Sequence, residues 1–172
     1  MPKNYRVKQR MNILLNAFNI TVNGEKDPVY KVMKSDKDKS GQTLSFRDAK
    51  TGQEMATMVR KYELSIKPKF SVRRDGQFWA DFAAEKIFLK KELILDIYGP
   101  HDYKIIGNFM ASKWKIHRTS DESETVVATI DKKWGLSDTY DVMVEDDQDD
   151  IAVLLIVILI DQSFTRNHRR HD

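Results

Sequence analysis

Three basic pairs carry the clearest potential chemistry in this sequence. They are Arg60-Lys61, Lys90-Lys91 and Lys132-Lys133, and each stands between an apolar run and a later Leu. Lys and Arg are attracted to anionic surfaces, and each one near an acidic membrane contributes about 1 kcal/mol. The pairs therefore predict a patch that binds anionic phospholipid. Neighbours in a strand point to opposite faces, so only one residue of each pair can join a common patch. The alternative is that they are solvated lysines at strand ends.

An acidic run precedes the most apolar part of the chain. Asp146, Asp147 and Asp149 are hard oxygen donors and weak candidates for a calcium site. The run lacks the spacing and the central Gly of an EF-hand loop. Acidic side chains also cap helices and favour the positive end of the helix dipole. The sequence favours capping over metal binding, and we predict neither a metal nor a cofactor.

Motifs for catalysis are missing from the sequence. It has no Gly-x-Ser-x-Gly, no His-Glu-x-x-His, no phosphate-binding Gly loop and no Cys. His117 lies in a predicted strand, and His168 and His171 lie in a charged terminal segment that offers no third metal ligand. Trp79, Trp114 and Trp134 could stack on nucleic acid, but they alternate with polar residues and are first interpreted as core. We predict that the protein is not an enzyme and that nucleic acid is not its partner.

The composition predicts one globular domain. A chain of 172 residues with net charge +3 can bury a substantial core without disulfides. No signal peptide and no transmembrane segment is recognisable, so the predicted location is the cytoplasm. We expect the domain to occupy residues 1–164 and residues 165–172 to form a charged tail.

The apolar run Ile151 to Ile160 is the element on which the rest of the fold depends. All ten of its residues are apolar, so it must be buried on every side, yet it is too short to span a bilayer. Its β-branched residues fit a strand, whereas its length and flanking charges favour a helix over about 148–162. The predicted core positions of this helix are Ile151, Leu154, Leu155, Ile158 and Leu159.

The first 144 residues read as about a dozen short antiparallel strands. Apolar and polar residues alternate in short runs that end at turn signals such as Asn23-Gly24 and Asp75-Gly76. The run from Asp81 to Lys86 is the exception and predicts one helical turn. A dozen strands hide their edges best in a closed barrel, whose wide interior the apolar helix would fill. The predicted fold is therefore mainly β, a closed antiparallel barrel around a buried C-terminal helix.

The order of these segments resembles the LURP-one-related branch of the Tubby C-terminal-like superfamily. The resemblance covers nearly the whole chain. The segments that carry it are Tyr5 to Arg10, Asp27 to Val32, Leu44 to Asp48, Tyr103 to Phe109, Trp114 to Ile116, Val127 to Lys133, Asp138 to Val142, and the apolar run that ends at Asp161.

What the resemblance implies is a twelve-stranded barrel around a central helix. The superfamily includes phosphoinositide-binding Tubby proteins and phospholipid scramblases, the latter with a proposed calcium segment before the same helix. The implied function is a non-enzymatic binding or scaffold module. The alternative is binding of anionic phospholipid on the barrel wall by Arg60, Lys61, Lys90, Lys91, Lys132 and Lys133. A scaffold module would bind a protein partner. The alternative function would bind an anionic membrane surface.

Overall fold

A computed structural model gives the fold of the chain. It describes residues 1–10, 17–38, 43–61, 69–89, 92–98, 102–108, 112–119, 125–133 and 138–164. These residues form twelve strands and one helix. The elements are β1 (Lys3–Gln9), β2 (Phe18–Val22), β3 (Tyr30–Lys34), β4 (Thr43–Asp48), β5 (Glu54–Lys61), β6 (Lys69–Arg74), β7 (Gln77–Leu89), β8 (Glu92–Tyr98), β9 (Tyr103–Asn108), β10 (Lys113–Arg118), β11 (Thr125–Lys133), β12 (Thr139–Val144) and α1 (Asp150–Phe164).

The strands form one antiparallel sheet in which each strand pairs with its neighbours in sequence. β1 pairs with both β2 and β12, which gives the described strands the order of a closed barrel. Tyr5, for example, lies opposite Val22 on one side and Val142 on the other. The prediction of a mainly β, antiparallel fold with a single C-terminal helix is confirmed.

The alternation of residues along the strands decides which side chains enter the core. In β12, Tyr140, Val142 and Val144 are buried, whereas Asp141 and Met143 between them are only half-buried. The same alternation runs through β1 and β10. Burial of the inward set removes apolar surface from water and leaves the polar set outside, which fixes the register of each strand.

Helix α1 is buried on every side. The residues from Ala152 to Ile160 are each at most 2 % exposed, and Ile151 is half-buried. A helix has 3.6 residues per turn, so nine consecutive buried positions cover its whole circumference. The choice of helix over strand for this segment is confirmed, and its bounds lie two residues later than predicted.

The first turn of α1 is tied to opposite walls of the sheet. Tyr5 in β1 donates a hydrogen bond to Asp150, and Arg74 in β6 pairs with Asp149. At the other end, the hydroxyl of Tyr140 donates to Oδ1 of Asp161 at 2.8 Å, where both residues are buried. Polar contacts at each end therefore fix the depth of an otherwise apolar helix.

The predicted helical turn over residues 81–86 is wrong. Residues 77–89 form the single long strand β7, and Asp81, Phe82 and Ala83 pair with β8. The register between β7 and β8 shifts between Ala83 and Ile87, as in a β-bulge.

Among the described helices, none combines the length and hydropathy needed to cross a bilayer.

Candidate binding surfaces

Four of the predicted basic residues, Arg60, Lys61, Lys132 and Lys133, lie at one end of the barrel. Odd-numbered strands all run the same way because the sheet is antiparallel, so β5 and β11 finish at the same end. Helix α1 also finishes there, since Tyr140 at the start of β12 contacts Asp161. We call this the basic end. Its exposed cations include Lys8, Lys34, Lys61 and Lys133.

The basic pairs do not all reach solvent. Lys61 and Lys133 are exposed and form ion pairs with Asp81 at 3.2 Å and Asp131 at 3.3 Å. Arg60 is half-buried. Lys90 and Lys91 lie outside the described residues.

Lys132 lies inside the basic end and not on its surface. It stands opposite Tyr140 in the register and shares its inward direction. Its side chain is 7 % exposed, its Nζ lies 3.7 Å from the Asp138 carboxylate, and it sits 5.6 Å from the centre of the Tyr140 ring. The expectation that each basic pair divides between two faces therefore holds for this pair, because Lys133 is exposed.

The acidic run before α1 is engaged by the protein itself. Oδ1 of Asp149 accepts the backbone N–H of Ala152 at 3.1 Å, which caps the helix, and Arg74 pairs with the same carboxylate. Asp150 accepts hydrogen bonds from Lys3 at 3.0 Å and from Tyr5. In the part of the chain that the structure describes, no three metal-ligating side chains gather. These contacts support the capping interpretation.

Tyrosines surround the first turn of α1. Burial, reinforced by the hydrogen bond to Asp150, raises the pKa of Tyr5 far above its ordinary value. Burial also raises the pKa of Tyr30 and of Tyr103, with added repulsion from Asp150 and Asp149 respectively. Ionising any of these phenols in the folded protein would add a further negative charge beside Asp149 and Asp150 at the helix start.

We expect alkaline pH to destabilise the fold through Tyr5. The unfolded state loses the phenolic proton near pH 10, whereas the folded state keeps it, so the free energy of unfolding falls as pH rises above about 10. Urea unfolding at neutral and alkaline pH measures this loss. Tyr5→Phe should lower stability at neutral pH, because the bond to Asp150 is lost, yet show a smaller further loss at alkaline pH. Equal alkaline losses in the two proteins would contradict the assignment.

A groove of about 660 Å³ crosses the outer wall of strands β9 to β12 and β1. One row of outward side chains joins Ile106, Lys115, Thr129, Met143 and Asn4, each opposite the next in the register. The apolar members of this row, Ile106 and Met143, are half-buried. This row gives the groove a partly apolar floor.

A second row in the groove is charged. It joins Lys113, Asp131, Asp141 and Arg6, again each opposite the next. Asp131 and Asp141 stand directly across from each other, an arrangement that repels unless cations offset it. Arg6 donates to Asp141 at 2.9 Å, and Lys133 pairs with Asp131.

Two cations of the groove remain available for a ligand. Lys113 and Lys115 are exposed, project from the same face of β10, and form no ion pair with any side chain that the structure describes. Residues two apart on a strand share a face, with their Cα atoms about 6.5 Å apart. The groove therefore combines half-buried apolar side chains with two free ammonium groups.

No local sequence pattern predicted this groove. None of the residues predicted to bind lipid lines it. Arg6 and Asp141 are 135 positions apart in sequence and meet only through the pairing of β1 with β12. Lys113 and Lys115 stand on either side of the buried Trp114 in β10, and strand alternation therefore predicts that both point outward.

The remaining candidates serve the core or its rim. Trp114 is 2 % exposed. Trp79 is partly buried and packs beside Tyr103 with ring centres 6.2 Å apart. The Arg74 guanidinium lies over the Trp79 ring, 5.4 Å from its centre. His117 is half-buried on β10. Trp134, His168 and His171 lie outside the described residues.

Comparison with protein-family models shows to which family the chain belongs. The family model described as LURP-one-related matches residues 3–161. The chain belongs to the LURP-one-related family. The match begins at the first residue of β1 and ends inside α1, so this LURP-one-related domain comprises all the described strands and most of the helix. No curated protein and no solved structure matches the chain.

Proposed function

We propose that this LURP-one-related protein is a non-enzymatic binding module that holds its ligand with side chains on the outside of the barrel. The wall groove across β9 to β12 and β1 carries the proposal. The described interior is filled by α1 and the inward side chains, which are almost all below 10 % exposure. The outer wall is where a groove and cations without a described ion-pair partner occur together.

The chemistry of the groove suits binding better than catalysis. Its two carboxylates, Asp131 and Asp141, are held in ion pairs, whereas general acid–base chemistry needs a group positioned to exchange its proton with a substrate. Its free groups, Lys113 and Lys115, are exposed cations that attract and orient an anion.

A thermal-shift screen of charged metabolites, lipid headgroups and short peptides tests the module. A ligand at a hundred times its Kd stabilises the folded state by about 2.7 kcal/mol. We expect hits whose stabilisation is lost in the double variant Lys113→Glu/Lys115→Glu. The control, Lys26→Glu/Lys50→Glu, makes the same change in net charge outside both the groove and the basic end. Stabilisation that persists in the groove variant would contradict the site, and turnover of a hit, seen by mass spectrometry, would contradict the non-enzymatic assignment.

Anionic phospholipid is the second candidate ligand, with the basic end as its site. Exposed Lys61 and Lys133 from the predicted pairs join Lys8 and Lys34 at this end, and a ring of cations suits a planar anionic surface. Arg60, Lys90 and Lys91 complete the proposed set, whereas the buried Lys132 is left out of it. The ion pairs of Lys61 and Lys133 are surface pairs of little energetic weight, so a phosphate can compete for them.

Co-sedimentation with vesicles across a salt series tests the lipid candidate. We expect binding to acidic but not zwitterionic vesicles, weakening as salt screens the charges. Lys61→Glu/Lys133→Glu should reduce binding about thirtyfold, from the loss of about 1 kcal/mol for each of the two cations. The matched control is Lys26→Glu/Lys50→Glu, which reverses two exposed lysines on connections at the opposite end. No binding at low salt, or equal loss in the control, would exclude this candidate.

A further inference from the structure

We infer that the wall groove docks an extended segment of a partner protein that combines acidic and apolar residues. This inference rests on the proposed binding module and names its partner. It starts from the closed pairing of the described strands, since β1 bonds to both β2 and β12. With no free strand edge among them, a partner cannot be held as an added strand and must be held by side chains.

The size of the groove fits a short extended peptide. Adjacent strands lie about 4.8 Å apart, so the four spacings from β9 to β1 cover roughly 19 Å. An extended chain advances about 3.3 Å per residue, so about six residues span this distance. A lone phosphate or a single headgroup would occupy only a small part of the 660 Å³ groove.

The free charge of the groove selects an acidic partner. Asp141 is neutralised by Arg6 and Asp131 by Lys133, which leaves Lys113 and Lys115 as the cations that lack a described partner. Both lie on β10 at one side of the groove. Carboxylates of a partner could pair with them, while a basic partner would be repelled.

The apolar floor selects the rest of the segment. Ile106 on β9 and Met143 on β12 are outward-facing and half-buried, so a docked side chain could complete their removal from water. Met is unbranched and adapts to the shape of different side chains, which suits it to recognising short peptides. Apolar contact holds the segment in the groove. The two lysines require the segment to be negatively charged and set the direction in which it lies.

Fluorescence polarisation with designed peptides tests the inference. The probe is a labelled, end-blocked peptide of about six residues that alternates Glu and Leu. One control peptide replaces Glu with Lys, and another replaces Leu with Ser. We expect saturable binding of the Glu–Leu peptide alone. Lys113→Glu/Lys115→Glu should weaken it about tenfold and should gain binding of the Lys–Leu peptide. The control variant Lys26→Glu/Lys50→Glu, which changes two exposed lysines outside both the groove and the basic end, should bind as the unmodified protein does.

A substitution in the apolar floor distinguishes docking of the peptide in the groove from general attraction between charges. Met143→Ser keeps every charge and changes an outward side chain, and it should weaken the Glu–Leu peptide about fivefold through lost apolar contact. Unchanged binding in this variant, or equal weakening in the Lys26→Glu/Lys50→Glu control, would overturn the inference.

The same variants distinguish a failed partner from a failed module. If no peptide binds while thermal-shift hits still depend on Lys113 and Lys115, the partner is wrong and the module stands. If acidic vesicles, and not the peptide, lose binding in Lys113→Glu/Lys115→Glu, a membrane occupies the groove and the inference is overturned. If neither hits nor peptides depend on the groove, the proposed function fails as well.

Discussion

Leu155→Asp should abolish cooperative folding. Leu155 is fully buried in the middle of α1, with fully buried residues on either side of it in the chain. A carboxylate there would have to lose its hydration or stay protonated, at a cost of several kcal/mol, besides losing the packing of Leu. Since domains are stable by only about 5–15 kcal/mol, this loss should remove the native state. Near-ultraviolet circular dichroism and urea unfolding measure the result.

Two matched variants calibrate this result. Leu155→Ala should leave a folded protein that is about 2–5 kcal/mol less stable, because it only creates a cavity. Lys34→Asp introduces the same carboxylate at an exposed position of β3 and should change stability by less than about 0.5 kcal/mol. A soluble Leu155→Asp protein that melts cooperatively would show that α1 is not the centre of the core.

Gly107→Ala should destabilise the fold by overpacking the core. Gly107 stands opposite Trp114 across β9 and β10, and a Cβ at this glycine would collide with Cε3 of the indole. Trp114 is 2 % exposed and packed on all sides, so it cannot move away cheaply. Overpacking of this kind typically costs about 1–3 kcal/mol, which urea unfolding can measure.

A double-mutant cycle tests the cause of that loss. Trp114→Leu removes the ring with which the new methyl group would collide. Gly107→Ala should therefore cost much less in the Trp114→Leu background than in the unmodified protein. Equal costs in both backgrounds would mean that the glycine is needed for its backbone and not for the space it leaves.

Local sequence patterns predicted the elements well wherever burial had one clear period. The run from Ile151 to Ile160 had no polar face, so burial on every side was predictable, and the structure encloses it. Strand alternation in β1, β10 and β12 separated inward from outward residues correctly. The hairpin signal at Asn23-Gly24 falls at the end of β2.

The failures came from pairing between distant strands. Ala83 begins a stretch of good helix formers, yet its pairing with Lys69 on one side and Asp96 on the other holds it in β7, because tertiary contacts override intrinsic propensity. Lys132 looked like a surface residue until the register placed it opposite the buried Tyr140.

The wall groove escaped prediction for the same reason. Its charged row brings together residues from β1, β10, β11 and β12, and no local pattern encodes that order. The basic end was partly predictable, because charged residues at strand ends follow from solubility and edge protection. Which of them reach solvent depended on the register of each strand.

Hydrogen exchange along α1 tests whether the domain is built around this buried helix. The amides of residues 152–163 are enclosed, so we expect them to exchange only through global unfolding, with protection equal to the full free energy of unfolding. Exchange of these amides at much lower free energy, while the strands stay protected, would show that α1 leaves the barrel independently and would contradict the account.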